Sequence, residues 1–174
     1  MLGLQKGTVR LVPHNPAWQQ AFEQELRRLQ LALGEYAPGI EHVGSTAVPD
    51  LEAKPVLDIL LGAPTLDDFA TCNLMLEELG YHFSRAPEPG WWFHVKGPEI
   101  SRTHYLHLCV FDSAFWHDHI RFRDYLRSHE QVRRDYEELK RDLARDYADD
   151  RPVYTEGKSD FILSVLKNPH ERNR

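Results

Sequence analysis

Apolar positions along the chain follow two periodicities, and the helical one marks five segments. From an N-cap at Asn15 to about Leu33, apolar residues recur at spacings of three and four, which places them on one helix face. Pro16 suits the first helical position because the N–H that it lacks has no partner there. The same criteria predict helices over 66–79 after the cap Thr65, from Ser113 to about 128, over 132–147 and over 154–166.

Shorter apolar runs bounded by glycine and proline predict strands. They cover residues 7–14, 39–43, 56–61, 81–85, 91–95 and 103–111. Three of these strands follow one another after the second helix, which argues against a doubly wound parallel sheet. The pattern predicts an α/β (α+β) protein with a mixed sheet flanked by helices and a helical C-terminal segment.

Length and charge limit the class of protein. The 174 residues suffice for one core, so we expect a single domain over 1–174, with the sheet in 1–112 and a helical tail packed on it in 113–174. The net charge of -6 argues against a nucleic-acid or membrane partner, and no segment has the length and apolarity of a membrane span. These features predict a cytoplasmic protein and leave its oligomeric state open.

One aspartate interrupts the most apolar predicted strand, V-L-D-I-L-L. Strand alternation places Asp58 on one face with Val56 and Leu60. An ionised carboxylate in such a strand costs several kcal/mol unless it is paired, hydrogen-bonded or bound to a metal. Two interpretations stay open: a structural aspartate satisfied by its surroundings, and a residue that binds a ligand or metal.

The segment before this strand carries groups that suit an anion. Gly44 permits a turn closed to other residues, and Ser45 and Thr46 supply hydroxyl and N–H groups. Lys54 is held extended by Pro55 and leads into the Asp58 strand. Phosphate binding by these residues is one hypothesis, and an ordinary turn with a solvated lysine is the other.

The spacing from this turn to Asp58 resembles the nucleotidyltransferase fold. There, a Gly-Ser or Gly-Gly turn is followed by a strand with Asp-x-Asp or Asp-x-Glu, whose two acids hold two magnesium ions that align a nucleotide and its acceptor. Leu60 stands here where the second acid is expected. A single carboxylate cannot supply the shared two-metal clamp.

Longer motifs make the resemblance specific. VRLVPHNPAW, EHVGSTAVPDLEAKPVLDILL, RTHYLHLCVFDSAFWHDHIRFRDYLRSH and YTEGKSDFI occur in the order found in the GrpB family, and the resemblance covers essentially the whole chain. It implies a nucleotidyltransferase-like fold. Some members of that family are fused to dephospho-coenzyme A kinase, which implies by association a link to coenzyme A or nucleotide metabolism.

The resemblance directs attention to the strand R-T-H-Y-L-H-L-C-V. Its alternation places His107 on one face and His104 on the other. A histidine beside Asp58 could help to bind one divalent metal, Mg²⁺ or Mn²⁺ by analogy or a transition metal by ligand preference, or could only hydrogen-bond to the carboxylate. Arg102 and His104 are candidates for an anion pocket.

A lysine lies on the apolar stripe of the last predicted helix. Lys158 follows Tyr154 by four residues, so it must pair with an acid, extend to solvent or reach a ligand phosphate. The Tyr-x-x-x-Lys match to the family favours a functional role. The charged run over 133–146 is interpreted as a solvated helix face.

These observations predict a domain that binds a nucleotide or another phosphorylated small molecule and transfers a nucleotidyl or phosphoryl group. The predicted catalytic residues are Asp58, His107 and Lys158, and Asp58 and His107 would hold Mg²⁺ or Mn²⁺. The predicted substrate-binding residues are Gly44, Ser45, Thr46, Lys54, Arg102, His104 and Tyr154. The rival hypothesis is a non-catalytic ligand-binding or interaction module, favoured by Leu60.

Overall fold

Five strands form one mixed sheet in a computed structural model that describes residues 2–167. The strands are β1 (Gly39–Val43), β2 (Leu57–Ala63), β3 (Tyr81–Glu88), β4 (Trp91–Lys96) and β5 (His104–Val110). Their order across the sheet is β1-β2-β5-β4-β3. Strands β2 and β5 run parallel, and the other neighbouring pairs are antiparallel. The predicted mixed sheet is therefore confirmed.

The three predicted caps, Asn15, Thr65 and Ser113, are present in the structure. The Asn15 side chain accepts a hydrogen bond from the Ala17 N–H at 3.0 Å, and Ser113 accepts one from Trp116 at 3.3 Å. Thr65 and Asp68 form a reciprocal capping box ahead of a single 3-10 turn. The helices are α1 (Ala17–Leu33), α2 (Phe69–Glu78), α3 (Ala114–Ser128), α4 (Glu130–Asp146), α5 (Arg151–Glu156) and α6 (Ser159–Leu166). Within residues 2–167, no helix is both long enough and apolar enough to cross a membrane.

Two predicted elements were wrong. The strand over 7–14 does not form; that segment contributes one isolated bridge, from Val12 to Ala53. Gly7, with φ of 88°, and Pro13, which has no N–H, do not suit a continuous ladder. The helix over 154–166 is divided into α5 and α6, with Gly157 at the break. A Cβ at Gly157 would lie 2.6 Å from Leu143 Cδ2, so its absence lets α4 pack closely against the break.

The two faces of β2 bury different clusters. Leu57, Ile59 and Leu61 are wholly buried and share a cluster with residues of α1 and α2. On the other face, Leu60 packs in a smaller cluster with Trp116 of α3. Each such leucine contributes about 1.5–3 kcal/mol of burial energy. Asp58 lies on this second face, beyond the end of the apolar cluster.

Candidate functional site

The parallel pairing of β2 with β5 brings the predicted aspartate and histidine together. Asp58 is in register with Tyr105, and Leu60 is in register with His107, so all four side chains lie on the same face. His107 Nε2 is 3.7 Å from Asp58 Oδ1. The two groups that the sequence proposes as partners are therefore neighbours.

His104 belongs to the opposite face of the sheet, and its place in the predicted pocket was wrong. Successive side chains of a strand alternate between its two faces. His104 and His107 are an odd number of positions apart, so they point to opposite faces. It lies beside Tyr81 and near the buried Glu25. Burial lowers the pKa of His104 to about 4, against the opposing charge of Glu25. The imidazole is therefore a partly buried, uncharged group on the face opposite the cleft.

Gly44 forms the floor against which the Asp58 carboxylate rests. Its φ of 70° and ψ of -172° belong to a region that is almost exclusive to glycine. A Cβ at this position would lie 2.7 Å from Asp58 Oδ2 and 2.9 Å from Asp58 Cβ. The Gly-Ser turn is thus fitted directly to the aspartate.

A cleft of about 750 Å³ opens in front of Asp58. Its wall is strongly cationic: six lining residues are lysine or arginine, and two are acidic. This concentration contrasts with the net charge of -6 for the whole chain. The cations are Lys6, Lys54, Arg85, Arg102, Arg151 and Lys158, and the acids are Asp58 and Glu156.

Two predicted lysines share one aromatic surface. The Nζ atoms of Lys54 and Lys158 lie 5.2 Å and 4.6 Å from the centre of the buried Tyr154 ring. Burial, with Arg151 adding to it, lowers the pKa of Lys158 to about 8 although Asp58 opposes the shift. Burial and the charges of Arg151 and Lys158 hold the pKa of Lys54 well below its ordinary value. A bound anion would stabilise the charged form of both amines.

Asp58 is ionised in this setting. Burial alone would raise its pKa, but the interaction with His107 and the charges of Lys54 and Lys158 outweigh that effect, and the pKa is lowered. A single carboxylate therefore faces several cations. The excess positive charge leaves the cleft suited to a ligand that carries more than one negative charge.

An aromatic wall holds His107. The Trp91 ring stacks on it at 5.7 Å with an interplanar angle of 23°, and the Phe93 and His119 rings lie 5.2 Å and 5.6 Å away. His107 Nδ1 is buried and has no hydrogen-bond partner among the described residues. The imidazole can therefore present only its Nε2 edge to Asp58 and the cleft.

The donor set does not fit a two-metal clamp. Leu60, at the position of the second acid, is wholly buried against Val43, Cys109 and Trp116. Among residues 2–167, no group of three or more histidine, cysteine or acidic side chains could hold a metal ion. Asp58 and His107 supply two donors, so an ion there would take its other ligands from phosphate and water, as Mg²⁺ commonly does. Metal binding by this pair stays a prediction.

Two hydroxyl groups of the Gly-Ser-Thr turn point to different partners. Thr46 Oγ1 is hydrogen-bonded to the buried His42 Nε2 at 2.9 Å, whereas Ser45 Oγ lies 3.2 Å from Lys140 Nζ. Lys140 is only 1% exposed. The interpretation of 133–146 as a wholly solvated helix face was therefore wrong at this residue. Its spacing of four from Tyr136 was the available signal, because it places Lys140 on the apolar stripe of α4.

Other cations of the cleft were missed because they come from distant segments. Arg151, at the start of α5, donates to the Tyr105 hydroxyl at 2.5 Å and lies over the Tyr105 ring. Lys6 and Arg102 share Glu99, whose Oε1 lies 2.6 Å from Lys6 Nζ and 3.6 Å from the Arg102 guanidinium. No local pattern marks Lys6 or Arg151 in the sequence. Only the fold places them around Asp58.

Known proteins similar in sequence cover nearly the whole chain. The pattern of the GrpB protein family matches residues 8–168. The chain is 39% identical over 171 residues to the glutamate-rich protein GrpB of Alkalihalophilus pseudofirmus, covering 95% of this chain and 98% of that one. It is also 26% identical over 196 residues to a dephospho-CoA kinase of Mycobacterium leprae, covering 92% of this chain and 46% of the kinase.

Solved structures extend the comparison to the fold. The crystal structure of GrpB from Enterococcus faecalis is similar with a TM-score of 0.82 and 33% identity, covering 91% of this chain and 95% of that one. The Cid1 poly(U) polymerase bound to MgATP is similar with a TM-score of 0.54 and 10% identity, covering 76% of this chain and 44% of the polymerase. The second likeness identifies the fold as nucleotidyltransferase-like.

Proposed function

This chain belongs to the GrpB family, and on that premise we propose that its cleft binds a nucleotide or another phosphorylated small molecule. The observation that carries the proposal is the charge of the cleft wall, six cations against two acids in an acidic protein. Lys6 and Arg102 share Glu99, but among the described residues Lys54, Arg151 and Lys158 form no ion pair. A polyphosphate would supply the counter-charges that these three lack. The likeness to a polymerase solved with MgATP supports the same class of ligand.

Five of the predicted residues have a role in this proposal. Lys54 and Lys158 neutralise phosphate charge from the side of Tyr154, and Arg102, which also lines the cleft, adds to that charge. If a group is transferred, the two lysines also stabilise the charge that develops on it. A divalent metal held by Asp58 and His107 would polarise the phosphate oxygens when bound.

A second candidate is a binding module that does not catalyse transfer. The buried Leu60 favours it, because the position that supplies the second metal ligand in nucleotidyltransferases is part of the core here. Its ligand would be the same. The match to a dephospho-CoA kinase adds coenzyme A precursors to the compounds worth testing under either candidate.

Thermal unfolding in the presence of ligands tests binding. The panel contains nucleoside triphosphates, dephospho-coenzyme A and phosphopantetheine, each with and without Mg²⁺ or Mn²⁺. A ligand at 100 times its Kd should stabilise the protein by about 2.7 kcal/mol. Lys158→Met should lose most of this shift, and Lys167→Met, a change at an exposed lysine outside the cleft, should keep it. Millimolar ligand without any shift would refute the proposal.

Product analysis separates the two candidates. Wild type and Asp58→Ala are incubated with the ligand found above and Mg²⁺, and the nucleotide products are resolved by chromatography. Turnover by wild type that is lost in Asp58→Ala supports transfer. Binding by both proteins without turnover supports the binding module, and turnover that survives Asp58→Ala contradicts the role of the aspartate.

A further inference from the structure

Ser45 and Lys140 form a pair that neither candidate function uses. Ser45 is half-buried in the cleft wall, and its Oγ lies 3.2 Å from Lys140 Nζ. The lysine reaches this point from α4, far along the chain, and also donates to the backbone carbonyl of Glu52. A hydroxyl in a ligand cleft with an amine at hydrogen-bond distance, itself oriented by a third group, is the geometry of an activated nucleophile.

We propose that Ser45 is a nucleophile with Lys140 as its general base, and that the pair forms a covalent phosphoserine with the ligand of the cleft. The choice of phosphorus as the electrophile rests on the proposed function. Lys140 touches the proton that moves, and Ser45 touches the atom that is attacked. This role differs from phosphate binding by the Ser45 hydroxyl, because a bond is formed.

The surroundings of Lys140 favour an uncharged amine. The side chain is almost wholly buried, its Nζ lies 5.2 Å from the centre of the Tyr136 ring, and no carboxylate within residues 2–167 forms an ion pair with it. Burial, with Lys158 adding to it, lowers the pKa of Lys140 to about 7. A base with a pKa near neutrality is the one that general-base catalysis prefers.

The charges that face Lys140 come from several segments and largely oppose one another. Those that lower its pKa are cations, and those that raise it are carboxylates. The groups are Lys158 between α5 and α6, Arg141 and Glu137 on α4, Glu52 between β1 and β2, and Lys54 ahead of β2. A change in the protonation of Lys54 or Lys158 would therefore shift the pH at which Lys140 titrates, but Lys140 would still titrate.

The chemical step balances without a further reactant. The neutral Nζ of Lys140 takes the proton of the Ser45 hydroxyl, and Oγ forms a bond to phosphorus. The bond from phosphorus to the leaving oxygen breaks, and that oxygen departs with the electron pair. The products are phosphoserine, the Lys140 ammonium and the released alcohol, phosphate or nucleotide. Return of the proton from Lys140 to the leaving oxygen restores the free amine.

A fluorophosphonate probe tests this reactivity on the intact chain, because it forms a stable serine adduct at phosphorus as fluoride leaves. Wild-type protein is labelled between pH 6 and 9, and peptide mass spectrometry locates the adduct. Ser84 and Ser159 are internal controls: both line the same cleft and are more exposed than Ser45. Accessibility alone would therefore favour the controls.

The expected result is labelling of Ser45 about a hundredfold faster than of either control, the range that a general base contributes. Its rate should rise with pH through about 7, following deprotonation of Lys140. Lys140→Arg, which keeps hydrogen-bond donors but stays charged and cannot act as a base, should lose both the excess rate and the pH dependence. Circular dichroism checks that the variant is folded.

Three outcomes would overturn the proposal. They are equal labelling of the three serines, no adduct at Ser45 across the pH range in folded protein, and an unchanged rate in Lys140→Arg. The probe needs no nucleotide, so these outcomes are independent of the ligand panel. Binding of a phosphorylated ligand without Ser45 reactivity would refute the nucleophile and keep the proposed function. Ser45 reactivity without such binding would refute the proposed function and phosphorus as the electrophile, and would keep the Ser45–Lys140 pair.

Discussion

Replacing Gly44 with alanine should damage the fold and the site together. The residue has φ of 70° and ψ of -172°, a conformation that costs an L-residue about 1–3 kcal/mol. The added Cβ would also lie 2.7 Å from Asp58 Oδ2, closer than side-chain carbons approach in proteins. Relief of this contact requires Asp58 to move, and Asp58 lies on β2, which is paired on both sides by β1 and β5, so that its movement is restricted.

The magnitude follows from these two effects. Backbone strain and displacement of Asp58 should together lower the free energy of unfolding by about 2–4 kcal/mol. With a urea m-value of about 2 kcal/mol/M, the midpoint should fall by about 1–2 M. Moving the Asp58 carboxylate away from His107 should also weaken the binding of any ligand that contacts Asp58.

Gly80→Ala is the matched control. Gly80 also has a positive φ, 83°, but a Cβ there would meet only Lys96 Cε at 3.9 Å. Urea denaturation and ligand titration of both variants separate backbone strain from damage to the site. Gly80→Ala should lose about 1–2 kcal/mol and bind normally. Equal results for Gly44→Ala and Gly80→Ala in both measurements would show that the turn is not fitted to Asp58.

Three further predictions concern Leu60, Tyr81 and Lys158. Leu60→Asp places an unpaired carboxylate in the core and should lower the free energy of unfolding in urea by about 3–5 kcal/mol. Leu60→Met should lower it by less than about 1.5 kcal/mol, and similar losses for the two variants would contradict the assignment of Leu60 to the core. Tyr81→Phe removes a donor 2.9 Å from the Glu25 carboxylate and should cost about 1–3 kcal/mol, with ligand titration unchanged because this network lies on the opposite face. Anion affinity should fall about tenfold from pH 7 to 9 as Lys158 loses its proton through a pKa of about 8, and calorimetry on Lys158→Arg should show a weaker dependence.

Much of the fold was predictable because its strands are locally encoded. Strand β1 forms over the predicted residues, and β2 differs from its prediction only at the ends. Strand alternation, together with the pairing of β2 and β5, places Asp58 and His107 on the same face of the sheet. The pairing itself needed the family resemblance, because nothing in either strand specifies its neighbour.

The rest depended on contacts between distant segments. Lys140 occupies a charged run, and only the arrival of α4 beside Ser45 removes it from solvent. The break between α5 and α6 depends on Leu143 packing against Gly157. Periodicity places Lys140 on the apolar stripe of α4, but neither propensity nor periodicity specifies its contact with Ser45 or the contact of Leu143 with Gly157. Strand alternation already placed His104 on the face opposite His107, and that face does not border the cleft.

Backbone amide NMR with a titrated nucleoside triphosphate and Mg²⁺ tests the central claim most directly, because it reports both binding and location. The account predicts the largest shift changes at cleft residues, among them Ser45, Lys54, Tyr105 and Lys158, with little change at Glu25, Tyr81 and Lys96 on the opposite face. Changes that cluster on the opposite face would contradict it. So would an unchanged spectrum with millimolar nucleotide and millimolar dephospho-coenzyme A.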